Sequence, residues 1–197
     1  VIRGQQGVGR GNAATHSQCT EAIFMHIPGL KVVMPSSPAD AAGLLRTALR
    51  DNNPIMFFEH KILYNVKGEV PDDSDFMIPF GKANIVREGK DATVIATSQY
   101  VGRAENVAKK LEKEGISVEV IDPRTLVPFD TETIVNSVKK TGRAVVVHEA
   151  HKCGGAGAEI AATIMEEAFN YLDAPVIRLG AKSCPLPFNL GLENAVV

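Results

Sequence analysis

The chain has 197 residues, 45% of them hydrophobic, and its 21 basic and 23 acidic side chains leave a net charge of −2. That length can bury the core of one or two domains. A near-neutral balance without a basic block excludes the electrostatic footprint of a nucleic-acid-binding protein, and no apolar run approaches the roughly 18 to 20 residues of a membrane span.

The opening Val1-Ile2-Arg3 reads as a strand entered midway, without an initiator Met, so the chain is expected to be a fragment of something longer. A glycine-rich stretch follows from Gly4 to Gly11. Gly7-Val8-Gly9-Arg10-Gly11 partly resembles a dinucleotide loop. It lacks the helix at the third glycine and the acid at a second strand end that the fingerprint requires, so a mobile loop is expected instead. Thr20 to His26 is amphipathic and is broken by Pro28-Gly29. Leu30 to Met34 reads as a buried strand. Ser37, Pro38 and Asp40 then supply an N-cap, a proline at the first helical position and an acid to close a capping box. The helix should run to Arg50, with Ala41, Leu44, Leu45, Ala48 and Leu49 on its apolar face, and Asn52-Asn53-Pro54 ends it before a strand over Ile55 to Phe58.

From about Val66 to Pro79 the chain is acidic, proline-bearing and weakly periodic, which marks a linker. Beyond it, Ala92 to Thr97, Ser117 to Ile121, Arg143 to His148 and Pro175 to Leu179 are short apolar runs separated by helical stretches. This alternation indicates a mainly parallel sheet with helices on both faces. One helix carries Val101, Ala104, Val107, Ala108 and Leu111 and ends with Gly115 placed at C′. A second is capped by Asp130 and buries Ile134, Val135 and Val138, and a third begins near Gly155 with Ile160, Ile164 and Ala168 inward.

Four places could carry chemistry. His16 follows the glycine-rich loop, where an imidazole could deliver or accept a proton, although a lone histidine is more often a surface or capping residue. His148-Glu149-Ala150-His151-Lys152-Cys153 holds zinc-type ligands, but its histidines sit three apart rather than four and the core-and-edge reading is preferred. The glycines at 154, 155 and 157 start a helix whose N-terminus could take an anion, and close helix–sheet packing explains them equally well. The carbonyls of Ala48, Leu49 and Asp51, with the Asn53 amide oxygen, could surround a hard monovalent cation, against the alternative of an ordinary C-cap turn. Cys19, Cys153 and Cys184 are too few and too scattered for a disulfide framework, so a soluble, cytoplasmic chain is expected.

Thr15-His16-Ser17-Gln18, Pro28 to Pro35 and Arg50 to Pro54 closely resemble one family, and Glu119 to Leu126, Lys140 to Arg143 and His148-Glu149-Ala150 extend the likeness. It is the β-subunit of the thiamine-diphosphate-dependent component of 2-oxo acid and acetoin dehydrogenase complexes. The resemblance implies an α/β fold with part of a transketolase-like pyrimidine-binding domain over residues 1–66, a linker over 67–80, and a transketolase C-terminal-like domain over 81–197. It implies His16 as the catalytic histidine, and potassium bound by Ala48, Leu49, Asp51 and Asn53 with a carbonyl near Val1. It further implies thiamine diphosphate shared with residues that precede this fragment and with an α subunit that carries Mg. The expected partners are that α subunit, a second β subunit in a heterotetramer and the lipoyl acyltransferase core. The expected reaction cleaves acetoin, or decarboxylates pyruvate or another 2-oxo acid, and passes the acyl group to lipoamide, with this fragment inactive alone. Phe58-Glu59-His60-Lys61 and Gly68-Glu69-Val70-Pro71 look more like the acetoin branch than the branched-chain one. A non-catalytic subunit-assembly module is the reading from another class.

Overall fold

The protein, described over residues 1–197 as a computed structural model, is built on two sheets. The first third forms β1 (Ile2–Gln6), α1 (Ala13–Ser17), α2 (Glu21–Met25), β2 (Lys31–Val33), α3 (Pro38–Arg50) and β3 (Ile55–His60), followed by a 3-10 turn over Lys61–Asn65. The rest supplies β4 (Asn84–Arg87), β5 (Ala92–Ala96), α4 (Gln99–Glu112), β6 (Val118–Asp122), β7 (Thr125–Val127), α5 (Thr131–Thr141), β8 (Ala144–His151), α6 (Ala156–Ala168), β9 (Ile177–Ala181) and α7 (Leu190–Val196). In the first sheet, β3 lies between β1 and β2 and is parallel to both. In the second, in the order β4-β6-β5-β8-β9, only the edge strand β4 runs antiparallel. The α/β architecture with parallel-dominant sheets is the one the alternating apolar runs indicate.

Helix ends follow the capping residues. The Ser37 side chain accepts the Asp40 N–H at 3.1 Å, and Asp130 accepts the Thr133 N–H at 3.2 Å. Asp40 does not close a capping box: its carboxylate takes the Ser37 hydroxyl and the Arg124 guanidinium, because a buried acid gains more from a cation than from one backbone amide. Gly115 lies beyond C′, since α4 ends at Glu112 with Lys113 as C-cap, and Val107 and Leu49 face solvent rather than the core.

The two units share one core. Val32, Met34, Met56 and Phe58 from the first unit pack with Ile95, Ile121, Leu126, Ile134, Val146, Ile160 and Ile164 of the second unit. The short β7, although it follows β6 in sequence, leaves the second sheet and adds to the first, antiparallel to β2, with Val127 opposite Val32 and Thr125 opposite Val33. Residues between 66 and 80 have no regular structure, but Phe76, Ile78 and Phe80 pack beside Val33, Leu44 and Phe57. There the Ile78 N–H donates to the Gly43 carbonyl at 3.2 Å, and the Thr47 hydroxyl donates to the Ile78 carbonyl at 2.7 Å.

Candidate functional site

Because β1 and β3 are parallel, everything that follows them emerges at one edge of the first sheet, the carboxyl edge where open α/β sheets bind ligands. The glycine loop and α1 follow β1, and His60-Lys61 ends β3, so these pieces meet. His16 lies on the last turn of α1 with an exposed ring that makes no hydrogen bond within the chain. Its backbone is held from behind. The Lys61 ammonium donates to the His16 carbonyl at 2.5 Å and to the Ser17 hydroxyl at 3.2 Å, and the Gly7 N–H donates to the Ser17 carbonyl at 3.1 Å.

The loop from Gly7 to Gly11 has the backbone N–H groups of Gly7, Val8, Gly9 and Gly11 bonded to the rest of the chain. Positive φ at Gly7, Gly9 and Gly11 turns successive N–H groups toward two carboxylates that arrive from the second unit. Glu149 on β8 accepts the Val8 N–H at 2.6 Å, and Glu193 on α7 accepts those of Gly9 at 2.9 Å and Gly11 at 3.2 Å. Glu149 also takes His60 Nε2 at 2.8 Å, the Gln99 amide and, at 3.5 Å, the Cys19 thiol. Burial alone would raise the Glu149 carboxyl, but His60, the Val8 N–H and Gln99 together hold it below the ordinary carboxylate range. Burial lowers the Lys61 ammonium, opposed by the field of Glu193, and burial pushes the Cys19 thiol well above its usual value.

Glu149, Glu193, His60, Lys61 and Gln99 are therefore the residues that sequence reading misses. His60-Lys61 at a strand end and the Glu149 carboxylate stand out as polar residues in apolar surroundings, but the pattern around Glu149 suggests a capped sheet edge, or less favourably a metal ligand, and not a support for the glycine loop. His148 beside it is a core residue, with no polar partner for either ring nitrogen. It packs against Gly155, Gly157 and Gly180, where any Cβ would press on the imidazole. No group of three or more His, Cys, Asp or Glu side chains is arranged to hold a metal ion.

The oxygens suited to a monovalent cation lie at the opposite, amino edge of the first sheet. Ala48 and Leu49 lie in the last turn of α3, Asp51 is its C-cap, Asn53 precedes β3, and Val1 precedes β1. Asp51 N–H donates to the carbonyls of Thr47 at 3.1 Å and Ala48 at 3.4 Å. The Asn53 amide nitrogen donates to Asp51 Oδ1 at 2.7 Å, which leaves the amide oxygen as that side chain's acceptor. Asp51 also pairs with Lys31, whose hydrogen bond, helped by Asn53, lowers the carboxyl to about 2.

Comparison with known proteins agrees with this architecture. The transketolase C-terminal domain matches residues 81–197, and the transketolase pyrimidine-binding domain matches residues 1–67. A pyruvate dehydrogenase E1 component subunit beta from Rhizobium meliloti (strain 1021) is 49% identical over 194 residues, covering 98% of this chain and 42% of the relative. The mitochondrial subunit of that name from Dictyostelium discoideum is 48% identical over 200 residues, covering 100% of this chain and 56% of the relative. The chain thus spans about half the length of the curated relatives it matches. Among solved structures, a split gene transketolase described as an inactive beta4 tetramer superposes with a TM-score of 0.77 at 26% identity, over 92% of this chain and 57% of that one. No helix is long and apolar enough to cross a membrane. Both domain matches, the E1 β-subunit relatives and the shared fold lead to one conclusion: this chain belongs to the transketolase family.

Proposed function

We propose that the chain is part of the β subunit of a thiamine-diphosphate-dependent dehydrogenase component that transfers an acyl group to lipoamide, with His16 as its catalytic residue. The observation that carries this is the exposed His16 imidazole on a helix whose backbone is fixed from behind by Lys61 and the glycine loop. Thiamine diphosphate, when bound, supplies the carbon nucleophile that attacks the substrate carbonyl. This chain's residues suit a place beside that group: the His16 ring nitrogens have no internal partner and are free to hold or move a proton, while Lys61 and Glu149 spend their bonds on the backbone that carries it. A depression of about 380 Å³ next to α1, lined by Ala14, Gln18, His151, Ser183 and Leu186, leaves room for a substrate arm.

In this reading an α subunit carrying Mg supplies the rest of the cofactor site, and the chain acts only as part of that assembly. A second β subunit and the lipoyl acyltransferase core complete the partners, and the three free cysteines suit the reducing cytoplasm. The names of the relatives favour pyruvate as substrate, whereas Phe58-Glu59-His60-Lys61 and Gly68-Glu69-Val70-Pro71 favour acetoin over a branched-chain 2-oxo acid. We also propose that the carbonyls of Ala48, Leu49 and Asp51, with Asn53, hold potassium, supported by their place at the amino edge at the end of α3, where the negative end of the helix dipole lies and Ala48 spends only a long bond of 3.4 Å on the Asp51 N–H.

The test is His16→Ala in the full-length subunit assembled with its α subunit, assayed with pyruvate and with acetoin. Lipoyl acylation should fall by about a hundredfold or more, and near-normal turnover would remove the catalytic assignment. For the cation, potassium should raise the melting temperature of the chain more than sodium at equal ionic strength, and identical curves would remove that site.

A further inference from the structure

The buried network behind His16 reaches the helix by two routes that start from one side chain. Glu149 Oε1 accepts the Val8 N–H at 2.6 Å, and the adjoining Gly7 N–H donates to the Ser17 carbonyl at 3.1 Å. Glu149 Oε2 meets His60 Nε2 at 2.8 Å, and the adjoining Lys61 donates to the His16 carbonyl at 2.5 Å and the Ser17 hydroxyl at 3.2 Å. His60 and Lys61 are each 2% exposed and Glu149 is 7% exposed, so no water competes freely for these bonds. Glu149 stands on β8 of the second unit; Gln99 of that same unit shares its carboxylate, and Val8, Cys19 and His60 belong to the first.

We infer that Glu149 is a positioning residue for His16: from the second domain it fixes, through Val8 on one side and His60 on the other, the two contacts that set the register of α1. The short helix has five residues and no side-chain cap at either end. A helix that short does not hold its conformation alone, and its neighbours must supply the order. The Glu149 carboxylate is suited to this because its two oxygens can bind separate groups, and a charge-assisted bond to a backbone N–H is among the stronger ones in a protein. Glu193 shares the load on Gly9 and Gly11 but makes no bond to His60 or Val8.

The inference rests on His16 being the catalytic residue, so the experiment separates the two. In the full-length subunit assembled with its α subunit, Glu149→Ala should cut kcat for lipoyl acylation by about tenfold or more with KM for the substrate changed less than twofold. Glu149→Gln keeps an oxygen for the Val8 N–H but sets an amide nitrogen against the His60 Nε2–H, whose Nδ1 already accepts the Ile62 N–H at 3.2 Å, and should restore only part of that loss. In the His16→Ala background, Glu149→Ala should cost almost nothing further, because its effect passes through a group already removed. Hydrogen exchange across residues 7 to 17 should rise in Glu149→Ala while exchange in α5, which makes no bond to Glu149, stays unchanged. Full additivity of the two losses, or exchange in residues 7 to 17 that matches the parent, would overturn the positioning role. If His16→Ala leaves turnover intact, the catalytic reading fails, and the exchange measurement still decides whether Glu149 holds α1.

Discussion

Arg124 Nε donates to Asp40 Oδ1 at 2.6 Å, joining the turn between β6 and β7 to the first turn of α3. The same residue sits at φ 58°, donates its N–H to Asp122 Oδ1 at 2.8 Å and accepts the Met34 N–H at 2.9 Å. One residue of the second unit thus supplies a side-chain and a main-chain link to the first. Asp40 is 2% exposed, so the guanidinium neutralises a carboxylate that water cannot reach.

Removing that cation should be costly. Arg124→Ala leaves Asp40 buried and unpaired, and is expected to destabilise the chain by about 3–5 kcal/mol, the range for breaking one side of a buried pair. Adding Asp40→Asn to it should recover part of the loss. Urea denaturation of the two variants checks this, and an Arg124→Ala loss below about 1 kcal/mol would show that the pair contributes little.

Beside this pair, Asp122 predicts a pH dependence. Burial first, then the nearby Asp40 charge, push its carboxyl up to about 7. The Ser36 hydroxyl and the Arg124 N–H donate to this carboxyl and offset only part of that rise. An acid whose folded pKa is raised binds more protons folded than unfolded, so its contribution is most favourable below about pH 4 and is lost as pH rises to about 7. Asp122→Asn should therefore raise stability at pH 8, by no more than about 4 kcal/mol, and change little at pH 4. Melting curves at the two pH values would show this, and an equal shift at both would mean that the carboxyl does not titrate in this window.

His148 predicts the opposite slope. Burial first, and then Arg178, lower its imidazole to about 4. A base with a depressed folded pKa leaves the unfolded chain holding more protons between about pH 4 and 6.5, so stability falls as pH drops through that range. His148→Leu should flatten this loss, worth at most about 3 kcal/mol. Since Asp122 and His148 act with opposite signs in overlapping windows, the parent profile should be flatter than that of either single variant. A parent profile steeper than both would contradict the paired assignment.

The contrast between these residues explains how much is legible in the sequence. The Ser37 and Asp130 caps, the inward faces of α5 and α6 and the parallel strands are legible because each depends on neighbours within a few residues. His16 is legible as a candidate because a glycine-rich loop and a polar run surround it. The network that holds it is not: His60 and Glu149 are 89 positions apart, and Gly9 and Glu193 are 184 apart, so no local pattern joins them. The strand β7 escapes for a related reason. Three residues carry no periodicity, and their place beside β2 is set by Arg124 and the shared core.

Two glycine substitutions separate backbone demand from general tolerance. Gly7 sits at φ +100°, where a side chain is strained, and a Cβ there would overlap the His60 imidazole. Gly7→Ala must shift either the loop, losing the Gly7 to Ser17 bond, or His60, losing its contact with Glu149. The strain and the overpacking together should cost about 2–4 kcal/mol, with the loss of order falling on residues 7 to 17. Gly102 lies inside α4, and a methyl group there would meet nothing within 4 Å, so Gly102→Ala should stabilise by about 0.5–1 kcal/mol through the helix propensity of alanine. Equilibrium denaturation with peptide-level hydrogen exchange distinguishes the outcomes. Equal, small effects at both positions would mean that the glycine loop accommodates a side chain, and that His60 is not fixed where Glu149 holds it.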